Sequence, residues 1–212
     1  MAERPVFTPL NKYPWYEITE ISFHWAAGFA LVQKQKNITA LHEGWEKLHP
    51  DQPVLEASSK AATELGKSLS PFYLELDGIP VENQVQAAKV FQHGGPYLQA
   101  LDMPAIKAKT WGKLKESGAL LYYRWQDTDY PVWPRGWFAT WMYLQALMQH
   151  PAAAEAVKDY AAFTDIAFNP KTGHACQARS LAIYCGLEKK GKLQEAMESW
   201  ESFRKIVFRE PS

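Results

Sequence analysis

Hydrophobic and polar positions recur with two different periods along the chain, and these periods predict helices mixed with short strands. Residues 37–48 place Leu41 and Trp45 on one face of a helix, whereas residues 119–126 have the aromatic-rich composition of a strand. The pattern therefore predicts an α+β fold in which helices predominate. Further helices are predicted at residues 81–92, 104–115, 135–149, 151–161, 175–190 and 192–207, and residues 54–76 are predicted to form strands and loops.

The domain organisation follows from the length and from the absence of breaks in the pattern. The chain has 212 residues and contains no internal repeat, low-complexity tract or convincing linker. A chain of this length can bury a substantial core in one unit. We therefore predict one compact domain over residues 1–212. Residues 1–22 are interrupted by prolines and are expected to form an extended arm packed on the body, and residues 192–207 are expected to form a C-terminal helix.

The helix predicted at residues 81–92 carries polar side chains where apolar ones would be expected. Most of its surface is apolar, and the glycines and proline at residues 94–96 are typical of a helix end. At 3.6 residues per turn, Glu82, Gln86 and Lys89 share a wedge roughly 60° wide. A helix this apolar is expected to be packed on most sides, so its polar wedge faces either a rim or a cavity.

This wedge has two interpretations. It could be a solvated stripe on a surface helix, which is the usual environment of charged side chains. Alternatively, Glu82 and Lys89 could line a cleft as a carboxylate and an amine two turns apart. Burial in such a cleft would favour a proton on the carboxylate and a free amine on the lysine, which suits an acid/base and a nucleophile.

Three other groups of residues could bind a ligand, although each has a structural explanation. The glycine run before Tyr97 could cradle a phosphate, or it could only end a helix. Asp165 and Asn169 stand in a loop between aromatic residues and could bind ribose hydroxyls, or they could form turns. Basic residues could contact a phosphate backbone near Trp111 and Trp125, or form solvated faces. These basic residues are Lys34, Lys36, Lys107, Lys109, Lys113 and Lys115.

Composition excludes several classes of protein. Lysine and arginine number 23, as do aspartate and glutamate, so net charge gives no argument for or against a nucleic-acid partner. The N-terminus lacks the apolar segment of a secretory signal, and no stretch approaches the length of a membrane span, so we expect a cytoplasmic protein. The two cysteines resemble reduced thiols. The six histidines are scattered and predict no metal site, and nucleotide-binding glycine loops and hydrolase motifs are missing.

Two segments of the chain resemble a known family. Residues 66–72 read GKSLSPF, and residues 81–91 read VENQVQAAKVF. Together they are similar to the NADAR family (NAD- and ADP-ribose-associated, YbiA-like), which carries a G-x-x-S-N-F-like segment followed by an E-x-x-F-Q-A-x-K-F helix. Glu82, Gln86 and Lys89 fall on the polar positions of that helix motif, although Asn83 replaces the histidine of the YbiA-like members.

The wider chain resembles one branch of this family, the antitoxins paired with DarT-type DNA ADP-ribosyltransferase toxins. It departs from that branch at Pro71, where a small residue or asparagine is expected, and at Ala175, where asparagine is frequent. The similarity covers roughly residues 4–187. Its segments are QKQKN at 33–37, the SSK to SPF block at 58–72, KVFQHGGPY at 89–97, the helix at 141–147 and the FTDIAFNP to CQAR stretch at 163–179.

The resemblance implies a YbiA-like domain that removes ADP-ribose from guanine bases of DNA as an N-glycosidase, without a metal or other cofactor. Glu82 would transfer protons, and Lys89 would attack the ring-opened ribose to form an imine or would act as a charge. Asp165 would orient the lysine or a ribose hydroxyl. The residues expected to line the ADP-ribose pocket are Ser59, Lys60, Gln86, Gly95, Tyr97 and Asn169.

Two functions other than the removal of ADP-ribose from DNA are also compatible with the sequence. One is a small-molecule N-glycosidase acting on phosphoribosylamino-pyrimidine intermediates of riboflavin synthesis, as in YbiA-like relatives. The other is a non-catalytic module that binds ADP-ribose or neutralises a toxin by direct contact. The N-terminal arm and the basic stretch favour the DNA substrate, because a small metabolite needs neither.

Overall fold

The computed structural model describes residues 1–208 and has the α+β fold, with helices predominating, that the sequence predicts. The strands span Ala2–Pro9 (β1), Tyr16–Phe23 (β2), Val54–Glu56 (β3), Glu75–Leu76 (β4), Ile79–Pro80 (β5), Lys89–Phe91 (β6), Leu120–Trp125 (β7), Thr128–Pro131 (β8) and Ala162–Thr164 (β9). The α-helices span Leu31–Leu48 (α1), Glu64–Ser68 (α2), Val81–Ala87 (α3), Ala105–Thr110 (α4), Gly112–Glu116 (α5), Trp137–Met148 (α6), Pro151–Ala156 (α7), Gln177–Lys190 (α8), Leu193–Met197 (α9) and Trp200–Phe203 (α10). Single turns of 3-10 helix lie at Leu98–Asp102 and Val157–Asp159, and a π-helical turn lies at Arg204–Phe208.

The N-terminal residues form part of the main sheet, which differs from the extended arm that their prolines suggest. β1 and β2 pair over their whole length as an antiparallel hairpin, and the sheet has the order β2-β1-β9-β3. β1 joins β9 through Phe7 and Phe163, and β3 runs parallel to β9. Consecutive side chains of β1 point to opposite faces, so Val6 packs towards α1 while Phe7 enters the larger core.

The larger core lies around α6 and α8. Both helices are buried over most of their residues, which explains why α6 has an almost uninterrupted apolar sequence. α8 approaches the β1–β2 turn so closely that a Cβ on Gly186 would lie 2.3 Å from the backbone oxygen of Leu10. Glycine at this position therefore permits the contact between the helix and the hairpin.

The helix predicted at residues 81–92 is shorter than its periodicity suggests. α3 ends at Ala87, and Lys89 begins β6, which pairs with β7 and β8 in a three-stranded antiparallel sheet. The backbone N–H of Arg124 donates to the carbonyl of Ala88 at 2.7 Å, so pairing with a distant strand replaces the next helical turn. The prediction that Lys89 lies on the helix is therefore wrong.

The glycines after β6 close a tight turn at the end of a strand and do not cap a helix. Gly94 and Gly95 have φ values of 150° and 105°, and the N–H of Phe91 donates to the carbonyl of Gly94. A Cβ on Gly95 would lie 2.3 Å from the backbone oxygen of Lys89. Only glycine adopts these dihedral angles and permits this close approach without strain.

Several predicted elements differ in their limits. α1 begins at Leu31, six residues before its predicted start at residue 37, and residues 54–76 include the short helix α2. The basic stretch is divided at Trp111 into α4 and α5. The predicted C-terminal helix at 192–207 is likewise divided into α9, α10 and the π-helical turn, whose aromatic rings stack around α6. Among the helices of residues 1–208, none is long and apolar enough to span a membrane.

Candidate functional site

A cleft of about 690 Å³ lies where α3, the beginnings of α6 and α8 and the loop that follows β9 meet. Its volume lies within the range of small-molecule and cofactor sites. Its walls combine apolar side chains with a few convergent polar groups. The polar and ionisable lining residues include Ser59, Glu82, Gln86, Lys89, Lys109, Arg135, Thr140, Asp165, Asn169, His174, Gln177 and Ser180.

A chain of hydrogen bonds links Glu82, Gln86 and Lys89 along one wall. The Lys89 Nζ donates to Gln86 Oε1 at 2.6 Å, and the Gln86 amide donates to Glu82 Oε1 at 2.7 Å. Lys109 approaches the second carboxylate oxygen of Glu82, with Nζ and Oε2 3.4 Å apart. Gln86 thus fixes the carboxylate and the amine relative to each other, and both face the cleft.

These three residues converge although they lie on two elements. Glu82 and Gln86 are one turn apart on α3, so their side chains stack along one face. Lys89 follows the end of the helix as the first residue of β6, and its side chain returns to Gln86. The polar wedge predicted from the sequence is therefore present, but a helix–strand junction forms it.

Burial makes the charged form of Lys89 less favourable. The loss of water around its ammonium group lowers the pKa of Lys89, and the positive charge of Lys109 lowers it further. The carboxylate of Glu82 opposes this effect but does not outweigh it. A lowered pKa increases the fraction of neutral amine near neutral pH, which a lysine needs in order to act as a nucleophile.

Asp165 lies at the end of β9 with its carboxyl group in the cleft and only 7% of its surface exposed. One of its oxygens accepts the backbone N–H of Ala167 at 3.0 Å. Burial, followed by the nearby charge of Glu56, raises the pKa of Asp165 to about 8. A carboxyl group with such a pKa carries a proton near neutral pH and can donate it.

Glu56 is a second buried carboxyl group behind Asp165, and it is not among the residues predicted from the sequence. Thr164 Oγ1 donates to its Oε2 at 2.7 Å, and the backbone N–H of Ile166 donates to its Oε1 at 2.9 Å. His42 Nε2 lies 2.8 Å from the same threonine hydroxyl. Burial raises the pKa of Glu56, while these hydrogen bonds oppose the shift. Its one sequence signal is a charged residue between apolar ones, in VLEA.

Not all residues predicted to bind a ligand reach the cleft. Ser59, Gln86 and Asn169 line it together with the three predicted catalytic residues, whereas Lys60, Gly95 and Tyr97 are not among its lining residues. The Tyr97 hydroxyl is buried against Ser117 Oγ, and Gly95 is occupied in closing the turn after β6. The glycine turn is thus a structural element that supports β6.

The beginnings of α6 and α8 form the opposite part of the cleft, which the sequence analysis also missed. Gly136 and Cys176 precede these helices, and neither supplies a side-chain cap. The first N–H of α6, that of Trp137, donates to the carbonyl of Pro134 at 3.4 Å, so the helix starts contribute chiefly the positive ends of their dipoles. The guanidinium of Arg135 lies 3.2 Å from His174 Nε2 at the same edge. The positive end of a helix dipole and a guanidinium both attract anions. Within residues 1–208, no three His, Cys, Asp or Glu side chains are grouped as metal ligands.

Comparison with known proteins identifies the family. The family model of the DarT1-associated NADAR antitoxin matches residues 2–212 and so includes the whole cleft and both parts of its wall. No curated protein matches the chain in sequence. Because the family match extends over essentially the whole chain, this protein belongs to the DarT1-associated NADAR antitoxin family.

Proposed function

We propose that this antitoxin is an N-glycosidase that removes ADP-ribose from guanine bases of DNA and so reverses the modification made by its partner toxin. The hydrogen-bonded chain from Lys89 through Gln86 to Glu82 is the observation that carries this proposal. It places a partly desolvated amine and a carboxylate in a cleft large enough for a nucleotide. Membership of an antitoxin family associated with a DarT1 toxin supports the same substrate.

Cleavage of a ribose–guanine bond requires charge stabilisation at both ends. Positive charge develops at the anomeric carbon and negative charge develops on the departing base, so a carboxylate is needed beside the ribose and a proton donor beside the base. Glu82 performs the proton transfers to and from the ribose oxygens. Asp165, whose pKa of about 8 keeps it protonated at neutral pH, donates to the departing base or to a ribose hydroxyl.

Lys89 acts as the nucleophile of an imine route. The ring oxygen of the ribose takes a proton as its bond to the anomeric carbon opens, and the neutral Lys89 amine adds to that carbon. The guanine nitrogen then leaves with a proton, and water hydrolyses the lysine imine to give free ADP-ribose and the restored amine. The lowered pKa of Lys89 supports this route, because only the neutral amine can add.

The remainder of ADP-ribose fits the other part of the cleft. Its pyrophosphate would lie against Arg135 at the beginnings of α6 and α8, because a guanidinium and the positive end of a helix dipole both attract anions. Asn169 and Ser59 would contact ribose hydroxyls. This orientation leaves the guanine at the mouth of the cleft, where the DNA strand continues.

The direct test uses an oligonucleotide that carries ADP-ribosylated guanine. The wild-type protein should release ADP-ribose, whereas Glu82→Gln and Lys89→Ala should lose at least about a hundredfold in rate while remaining folded. Lys67→Ala is a matched control, because this surface lysine pairs with Glu64 and does not line the cleft. Full activity in either cleft variant would contradict the assigned roles.

The same assay separates the two alternatives. Cleavage of a phosphoribosylamino-pyrimidine without any release from the oligonucleotide would indicate a small-molecule glycosidase. Binding of free ADP-ribose without cleavage of either substrate would indicate a non-catalytic module.

A further inference from the structure

Trp133 is an exposed aromatic side chain in a segment whose neighbouring residues line the cleft. It lies in the connection between β8 and α6, and 72% of its surface is exposed. Its neighbours Val132 and Arg135 both line the cleft. Residues before and after Trp133 therefore line the cleft, while the Trp133 side chain itself is exposed to solvent.

Trp133 differs in its exposure from the other tryptophans of this tryptophan-rich protein. The other tryptophans of residues 1–208 are buried or half-buried, and several form the aromatic cluster around α6. Leaving a large apolar ring in water forfeits the free energy of its burial, so a ring left exposed at the edge of a site suggests a contact with a partner.

The charges around this edge favour a nucleic-acid strand as that partner. Arg135 supplies a guanidinium two residues from Trp133, and Lys109 supplies an ammonium at the cleft. Of the acidic groups nearby, Glu82 and Asp165 lie within the cleft, and Asp129 is paired with Arg124 on the β7–β8 hairpin. Among residues 1–208, the Arg135 guanidinium contacts only the ring of His174, so no carboxylate neutralises its charge, whereas Lys109 is paired with Glu82. An aromatic face beside a guanidinium is an arrangement that binds single strands, by stacking on bases and attracting phosphates.

We propose that Trp133 stacks on the base next to the modified guanine. This inference rests on the proposed function. To bring its glycosidic bond to Lys89, the modified guanine must leave the base stack, and its neighbour then loses a stacking partner. The indole ring of Trp133 replaces that partner. Trp133 would thereby distinguish guanine in a strand from an isolated modified nucleoside.

The test compares two substrates and three variants. Trp133→Ala should raise KM for a modified single-stranded oligonucleotide about tenfold, which is the scale of one base–aromatic stacking contact, and should leave its kcat unchanged. Its kinetics on ADP-ribosylated guanosine should equal those of the wild type, because that substrate has no neighbouring base. Trp133→Phe should recover part of the affinity, since phenylalanine also offers a face. Phe29→Ala is the control, because Phe29 is 98% exposed but does not line the cleft.

If the wild-type protein cleaves the oligonucleotide, either of two results would overturn the proposal for Trp133. The first is an unchanged KM for the oligonucleotide in Trp133→Ala. The second is an equal loss on both substrates, which would indicate a structural role. If wild-type protein cleaves neither substrate, the proposed function fails instead. In that case, fluorescence anisotropy of the unmodified strand tests the role of Trp133. Trp133→Ala should weaken binding of this strand about tenfold. An unchanged affinity would overturn the inference.

Discussion

The carboxyl groups of Asp165 and Glu56 are buried at the ends of two neighbouring strands, where water does not stabilise a negative charge on either group. Hydrogen bonds from Thr164 and Ile166 favour ionisation of Glu56, and the charge of Glu56 in turn raises the pKa of Asp165. Two close carboxyl groups with different surroundings take different protonation states. At the scale of single residues, the cleft therefore combines Asp165, whose pKa is raised to about 8, with Lys89, whose pKa is lowered by burial, and Glu56 lies behind Asp165 with a pKa that burial also raises.

Asp165→Asn should stabilise the fold while reducing activity. The pKa of Asp165 is about 8 in the folded protein and 3.8 in its ordinary state, so the folded protein retains a proton that the unfolded chain releases. Its contribution to stability is therefore present at low pH and is lost as the pH rises from about 4 to about 8. Asparagine does not ionise, so the variant does not lose stability in this way. Its free energy of unfolding should exceed that of the wild type by on the order of 1–3 kcal/mol at pH values above about 8.

Urea unfolding across this pH range measures that gain. Asp51→Asn, at an exposed position, is the matched control and should change the free energy of unfolding little. Equal stability of Asp165→Asn and the wild type at high pH would mean that the fold does not raise the pKa of the Asp165 carboxyl group.

Lys89→Arg should lose activity as completely as Lys89→Ala if the lysine forms an imine. Arginine keeps the positive charge but cannot act as a nucleophile at accessible pH. Borohydride added during turnover should attach the sugar to wild-type protein, and mass spectrometry should place the adduct on Lys89. Substantial activity in Lys89→Arg without any adduct would show that the residue acts through its charge.

At the scale of elements, the sequence predicted the polar wedge of the site but not the backbone that forms it. The apolar and polar positions of residues 81–92 fit a helix throughout, yet Lys89 pairs with Tyr123 on a strand more than thirty residues later. Local periodicity contains no information on such pairing. The three polar side chains still come together, because Gln86 forms hydrogen bonds with both Glu82 and Lys89 across the helix–strand junction. The spacing of one helical face is therefore also compatible with a helix followed directly by a strand.

The contact between α8 and the β1–β2 turn depends on Gly186. An added Cβ would lie 2.3 Å from the oxygen of Leu10 and 2.6 Å from that of Trp15, and both are backbone atoms that cannot rotate away. Gly186→Ala should therefore lower the free energy of unfolding by about 1–3 kcal/mol or more. Gly112→Ala is the control, because its new methyl group meets only an ordinary contact at 3.9 Å. Equal stability of both variants in thermal unfolding would contradict this packing.

At the scale of the whole molecule, composition and periodicity were sufficient for the α+β class, whereas the place of the first strand was not predictable. Prolines at positions 5 and 9 and the aromatic residues near them suggested an extended arm packed on the body. β1 instead lies between β2 and β9, and β9 follows about 150 residues later. Glu56 and Arg135 escaped prediction for the same reason, since only the closed fold places them beside Asp165 and the cleft.

Phe7→Ala measures how far the hairpin belongs to the core. Phe7 is 2% exposed and its ring lies 6.4 Å from that of Phe168, a residue of the cleft wall. Truncation of a buried phenylalanine should cost about 3–5 kcal/mol in the free energy of unfolding. Glu17→Ala, at an exposed position on β2, should cost little. A small loss in Phe7→Ala would indicate that the hairpin is only an appendage.

The proposed reaction breaks one bond, between ribose and guanine, and leaves the DNA strand intact. Mass spectrometry of the oligonucleotide after a single turnover tests this most directly. We predict an intact strand with its guanine restored, together with an equal amount of free ADP-ribose. A strand with an abasic site would mean that the bond between guanine and deoxyribose is cleaved, and an unchanged modified strand would mean that the protein does not act as a glycosidase on DNA. Either result would contradict the proposed function.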